Sequence, residues 1–263
     1  MTTVTKRRRW AAAAAGGVLL LAGCGDDSTT NSADTTTTTD ATAEPVIDPG
    51  DGGDYAPELD PADFVDVVDN PYFPLTPGTK WVYEGEEDGE TERVEVEVLD
   101  ETRVIEGITA TVVRDTVYVD GELAEDTYDW YAQDKDGNVW YLGEDTHEYE
   151  NGEAVNAKGA WEYGKDGALP GIVMLAHPEV GDAYRQEYYE GEAEDMGEVL
   201  EVGVTKELGI GSYEDVVVTE DWNPLDPEVI EEKSYAPGVG VIFEAKVAGG
   251  EGESELIEFT PAG

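Results

Sequence analysis

Residues 128–143 read YDWYAQDKDGNVWYLG, and this stretch decides the fold. Asp136-Gly137 is a two-residue hairpin signal, because both residues tolerate positive φ. Matching aromatic pairs flank it, Trp130-Tyr131 before and Trp140-Tyr141 after. Neighbours on a strand point to opposite faces, so each pair places one large ring on each face. Rings on both faces predict a central hairpin, packed on one side and partly covered on the other.

The sequence on either side continues the β pattern. Over 93–98, Val94, Val96 and Val98 share one face, and Glu95 and Glu97 take the other. Glu106-Gly107, Asp120-Gly121 and Asn151-Gly152 mark further turns. Residues 108–119 are rich in β-branched side chains, and Val112-Val113 breaks the alternation, which predicts a bulge there. A strand is expected to start at Lys80-Trp81-Val82-Tyr83. Residues 153–182 are less regular. Segments 183–189, 199–206, 213–221, 229–235, 239–247 and 255–259 complete about twelve expected strands. Upstream, Asp60-Pro61-Ala62-Asp63 reads as an N-cap, a first-turn proline and a first-turn acid. Phe64, Val65, Val67 and Val68 then predict a short helix over 61–68. Short strands with turns between neighbours argue an antiparallel meander, and a sheet that long must curl, close or split. The expected fold is mainly β: one large curved antiparallel sheet, an open or half barrel, with the short N-terminal helix against it or plugging one end.

Charge narrows the partners. The 263 residues carry 62 Asp and Glu against 15 Lys and Arg, a net charge of −47. Such a surface repels nucleic acid and anionic headgroups, so no nucleic-acid partner is expected. Hydrophobic residues make up 40%, enough for a real core.

The N-terminus reads as targeting sequence. Lys6-Arg7-Arg8-Arg9 form a basic region, followed by an apolar run over 10–23 that is shorter than the roughly 20 residues of a spanning helix. The run ends in Leu21-Ala22-Gly23-Cys24, which resembles the lipobox of prokaryotic lipoproteins. That resemblance implies a signal peptide over 1–23, a diacylglycerol on Cys24, and anchorage to the extracytoplasmic face of the cell membrane. Arg7-Arg8-Arg9-Trp10 also resembles a twin-arginine export signal; an ordinary basic n-region is the alternative. Residues 24–60 are rich in Thr, Asp, Gly and Pro without apolar periodicity, and read as a disordered tether. As a coil it spans roughly 35 Å. A single β domain is expected over 61–263. Within it NPYFPLTPGTKWVYEG, DWYAQDKDGNVWYLGE and SYAPGVGVIFE resemble a family of uncharacterised secreted prokaryotic proteins, over about 70–244. The resemblance implies export and one β domain, and no chemistry.

The candidate sites are few. Asp134, Asp136 and Asn138 cluster oxygens as calcium requires, but Gly137 precedes Asn138 and position twelve is Asp145, so an EF-hand loop does not fit. A hairpin turn explains the same residues. Calcium is the one cofactor candidate. His147 and His177 are thirty residues apart and lack zinc spacing. Ser212, Ser234 and Ser254 lie outside any GxSxG elbow. Gly238-Val239-Gly240 reads as a tight turn and not as a dinucleotide loop. Asp129, Glu144 and Glu162 stand beside or near Trp130, Tyr141 and Trp161, as in many sugar sites; a core of rings with acids outside explains them more simply. Trp130, Tyr131, Trp140 and Tyr141 are the candidate ligand-binding rings. The expectation is a non-catalytic, membrane-anchored binding or envelope protein of unidentified ligand. The alternatives are a carrier of a hydrophobic ligand in a concave half-barrel and a secreted hydrolase using two carboxylates.

Overall fold

The computed structural model describes residues 55–263. The stretches read from the sequence as a signal peptide, a lipobox-like segment with Cys24, and a tether up to residue 54 lie outside the described residues. Tyr55, inside the stretch read as tether, is already packed: its hydroxyl donates to Pro170 O at 2.7 Å.

The strands in chain order are β1 (Phe64–Val65), β2 (Lys80–Glu87), β3 (Glu90–Ile105), β4 (Ile108–Val119), β5 (Glu122–Asp134), β6 (Val139–Glu150), β7 (Glu153–Asn156), β8 (Trp161–Glu162), β9 (Leu169–Met174), β10 (Ala183–Arg185), β11 (Glu187–Tyr188), β12 (Met196–Leu208), β13 (Gly211–Trp222), β14 (Ile230–Ala236), β15 (Gly240–Ala248) and β16 (Gly252–Thr260). All pair antiparallel. Two meanders, β2 to β6 and β12 to β16, join where β16 pairs with β2. The two free ends then meet through residues 183–188. Residues 183–185 pair with β12, while Glu187 and Tyr188 pair with β9. The sheet is thereby nearly closed into a barrel, which removes most of its exposed edge. Gly171 makes this meeting possible, because a Cβ there would lie 2.2 Å from the Gln186 backbone.

Four hairpins turn as their sequences dictate. Asp88-Gly89, Glu106-Gly107, Asp120-Gly121 and Asn151-Gly152 each have positive φ at both positions, the type I′ geometry that matches strand twist. The central hairpin differs from its sequence reading. Only Gly137 has positive φ there. Asp134 N–H donates to Asn138 O at 3.0 Å and Gly137 N–H to Asp134 O at 3.1 Å, so the loop has three residues, not two. The reason is the Asp134 carboxylate. Its Oδ1 accepts from Gly137 N and Asn138 N at 2.8 and 2.9 Å, and its Oδ2 from Asn138 Nδ2 and Trp140 Nε1 at 2.9 and 2.8 Å.

Two further expectations are corrected. No bulge falls at Val112-Val113, which pair in register with Trp130 and Asp129. Both are buried because both faces of β4 are covered, and the irregularity lies in β3 between Val98 and Thr102. The helix over 61–68 is a single 3-10 turn, Pro61–Asp63. Its start follows the sequence reading, with Ala62 N–H donating to Asp60 Oδ1 at 2.9 Å. It stops because Phe64 and Val65 pair with Asp134 and Gln133, and tertiary pairing overrides a weak helical spacing.

What plugs the barrel is the loop that follows. Asn70, 2% exposed, donates its N–H to Gln133 Oε1 and its Nδ2 to Gly137 O and Leu175 O. Across the barrel Gly238 N–H donates to Pro71 O at 2.7 Å. The loop therefore spans from the β5–β6 turn to the β14–β15 turn and presents Phe73, Pro74 and Leu75 inward.

Candidate functional site: an acid-lined cavity in the barrel

Inside the barrel is a cavity of about 190 Å3. One water needs roughly 10–15 Å3, so the space is large. Its lining changes character along the axis. On β2 the lining residues run Trp81, Tyr83, Glu87; on β3, read backwards, Val96, Val94, Glu92; on β14, backwards, Tyr235, Lys233, Glu231; on β15, Val241, Glu244, Lys246. Every series starts at the plug with an apolar or aromatic side chain and ends in charge. Glu92 follows from the alternation already read over 93–98: it shares the face of Val94 and Val96.

The wall of β5 and β6 carries the site's most ordered chemistry. Phe73, Tyr131, Tyr141 and Trp161 form a row of rings, with Tyr131 and Tyr141 stacked at 4.8 Å between centroids. Tyr141 Oη lies 2.6 Å from Asp129 Oδ1 and 3.1 Å from Glu144 Oε2. A β-bulge allows this. Asp129 pairs with Glu144 and Tyr131 with Tyr141, so Trp130 faces the two residues Leu142 and Gly143. The extra residue shifts parity and turns both Tyr141 and Glu144 to the Asp129 side. Gly143 is needed at the bulge twice over. Its φ is +131°, and a Cβ would sit 2.3 Å from Trp161 O.

A hydroxyl has one proton to give, so the two carboxyl groups on Tyr141 cannot both be carboxylates and both be satisfied. Burial raises Asp129 to about 7, and it holds Glu144 well above the usual carboxylate range, with Glu187 and Asp129 adding repulsion. Burial and mutual repulsion thus favour a protonated carboxyl in the pair. Glu187 is fully buried; its Oε2 accepts from Trp161 Nε1 at 2.7 Å. Burial raises Asp195 to about 7 and Glu244 to about 8, and drives Asp115 well up.

Two cations face this acid. Lys233 lies 3.0 Å from Asp221, and Lys246 pairs with Glu87. Burial disfavours the Lys233 ammonium, but Asp221 and the carboxylates around it outweigh that and raise its pKa.

The sequence candidates divide between two faces. Tyr131 and Tyr141 line the cavity. Trp130 and Trp140 stand on the opposite face: Arg103 covers the Trp130 ring at 3.9 Å, and Trp140 is held by Asp134. Asp129 and Glu144 come together, whereas Glu162 faces out and pairs with Arg103 and Lys165. Asp134 and Asn138 serve the turn, the latter accepting Ala176 N–H on Oδ1 at 2.9 Å, and Asp136 is exposed. Hydrogen bonds inside the protein thus engage the side-chain oxygens of Asp134 and Asn138. Among the described residues no cluster of three or more His, Cys, Asp or Glu is arranged to hold a metal ion. Sequence reasoning missed Glu187, Asp195, Asp115, Glu244 and Lys233.

No family model matches the chain, and no curated protein matches it significantly. Among solved structures it is similar to a "putative exported protein with YmcC-like fold" from Bacteroides fragilis, at 16% identity and a TM-score of 0.44, over 72% of this chain and 99% of that one. It is also similar to a "putative lipoprotein" from Parabacteroides distasonis, at 14% identity and a TM-score of 0.40, over 73% of this chain and 99% of that one.

Proposed function

We propose that the chain is a lipid-anchored extracytoplasmic protein whose β domain is non-catalytic and holds a small ligand inside the barrel. The cavity carries this reading: it is plugged at one end by the Asn70 loop, apolar there, and charged beyond. Folding has enclosed groups that are costly to enclose, and a ligand that meets them offsets that cost. The anchor rests on the lipobox-like Leu21-Ala22-Gly23-Cys24. An acyl chain matches the cavity poorly, because Asp115, Asp129, Glu187 and Glu244 would face its methylenes.

The two-carboxylate hydrolase keeps one observation in its favour, the Asp129–Glu144 pair. Against it, the Tyr141 hydroxyl already occupies the space between the two acids, where a glycosidic bond or a water must sit.

Native mass spectrometry of the protein taken from its own membranes tests both halves. The expected species lacks residues 1–23, carries diacylglycerol on Cys24, and retains a small bound molecule. An unmodified precursor sinks the anchor. Turnover of a glycoside panel, abolished by Asp129→Asn with the fold intact, sinks the non-catalytic part.

A further inference from the structure

We propose that the cavity takes an organic ammonium ion with an apolar body, its carbon end against Phe73, Leu75 and Trp81 and its charge among Asp115, Glu187 and Glu244. This rests on the barrel being a small-ligand binder and names the class of ligand.

Three observations carry it. The first is the axial order of the lining, apolar at the plug and acidic beyond, which matches a molecule with one greasy and one charged end. The second is the count of ionisable groups. Both cavity lysines are paired, Lys233 with Asp221 and Lys246 with Glu87, so the carboxyl groups of Asp115, Asp129, Glu187, Asp195 and Glu244 outnumber the cations beside them and can give up protons to an incoming cation. The third is hydrogen bonding. Asp115 Oδ1, Glu92 Oε2 and Glu187 Oε1 are shielded from solvent and have no hydrogen-bond partner among the described residues. Glu187 is 0% exposed and lines the cavity. Unpaired buried acceptors call for donors, and an ammonium brings three with a positive charge. A bare divalent ion fits less well: it wants six to eight oxygens in one shell, and most of this wall is carbon.

The test is isothermal titration of the full chain with n-hexylamine, n-hexanol and calcium chloride at pH 7.5. Hexylamine should bind saturably and with proton release, since it displaces protons from the cavity carboxyls. Hexanol should bind at least about tenfold more weakly. Glu187→Gln keeps an acceptor for Trp161, and Asp115→Asn keeps the shape. Each should leave the melting temperature equal or higher while weakening hexylamine by about tenfold or more. Hexanol binding as tightly as hexylamine overturns the ligand class and leaves small-ligand binding standing. Calcium binding without hexylamine binding replaces the ammonium with an inorganic ion. Failure of hexylamine to bind overturns the proposal outright, and the binding reading then stands or falls on the molecule that co-purifies. Wild-type affinity in both variants moves the site elsewhere.

Discussion

The hydroxyl of Tyr141 lies 2.6 Å from Oδ1 of Asp129, on strands that meet in register only after a bulge. With the Trp161–Glu187 hydrogen bond, that contact ties the aromatic wall to the acids of the cavity. Removing it leaves a fully buried carboxyl without its donor. Tyr141→Phe should therefore destabilise by about 1–3 kcal/mol, the range for an orphaned buried polar group. Chemical denaturation measures it. An unchanged unfolding midpoint would mean that the acid pair is satisfied by sharing its proton directly.

Stability should fall as pH rises from about 5 to 8. Burial raises Glu92, Asp129 and Asp195 to about 7 and Glu244 to about 8 in the folded chain, above their unfolded values near 4. Between those limits the native state holds more protons than the unfolded state, so unfolding becomes easier with each step up in pH. For Glu92, 8% exposed and moved from 4.5 to about 7, the loss is on the order of 3 kcal/mol once the pH exceeds both values. Melting curves across this range check the sign. A melting temperature that climbs toward pH 8 contradicts it.

Salt should raise the melting temperature. A net charge of −47 opposes compaction, and ions screen it with a Debye length of about 10 Å at 0.1 M and 3 Å at 1 M. Equal melting temperatures in low and molar sodium chloride would show that surface repulsion is not limiting.

Trp130 and Trp140 serve packing. Each is 4% exposed and neither reaches the cavity. Trp130→Ala and Trp140→Ala should each cost about 3–5 kcal/mol, with ligand affinity kept in the fraction that folds. Near-normal melting of either variant, combined with lost binding, would place the site on the wrong face.

Gly143→Ala should disturb the site more than its size suggests. The added methyl meets Trp161 O and strains a φ of +131°, so the bulge must shift. A loss of roughly 1–3 kcal/mol is expected, together with a change in the tyrosine absorption of the Tyr141 cluster. A variant with wild-type stability and spectrum would mean that the bulge is not pinned by Gly143.

Local chemistry alone determined much of this protein. The glycine of Asp-Gly, Glu-Gly and Asn-Gly pairs permits positive φ, and four hairpins turn at such pairs, although Asp136-Gly137 does not. Period-two alternation put Val94 and Val96 on one face, and Tyr131 with Tyr141 opposite Trp130 and Trp140, without reference to any distant residue. The antiparallel meander followed from turns between short strands. The resemblance of Leu21-Ala22-Gly23-Cys24 to a lipobox is legible in the sequence alone.

The tertiary structure decided which acids matter. With 62 of them, no local signal separates Glu187 from Glu190 or Asp195 from Glu194. Selection came from closure, when residues 183–188 met β12 on one side and β9 on the other and enclosed one face of the sheet. It came also from the bulge at Gly143, which reversed the parity of Glu144 relative to plain alternation. Phe64 and Val65 left their helical spacing for the same kind of reason, a partner strand at Gln133 and Asp134. Periodicity and turn chemistry act within a few residues. Burial depends on what lies across the barrel, and that is set by pairings between residues far apart in the chain.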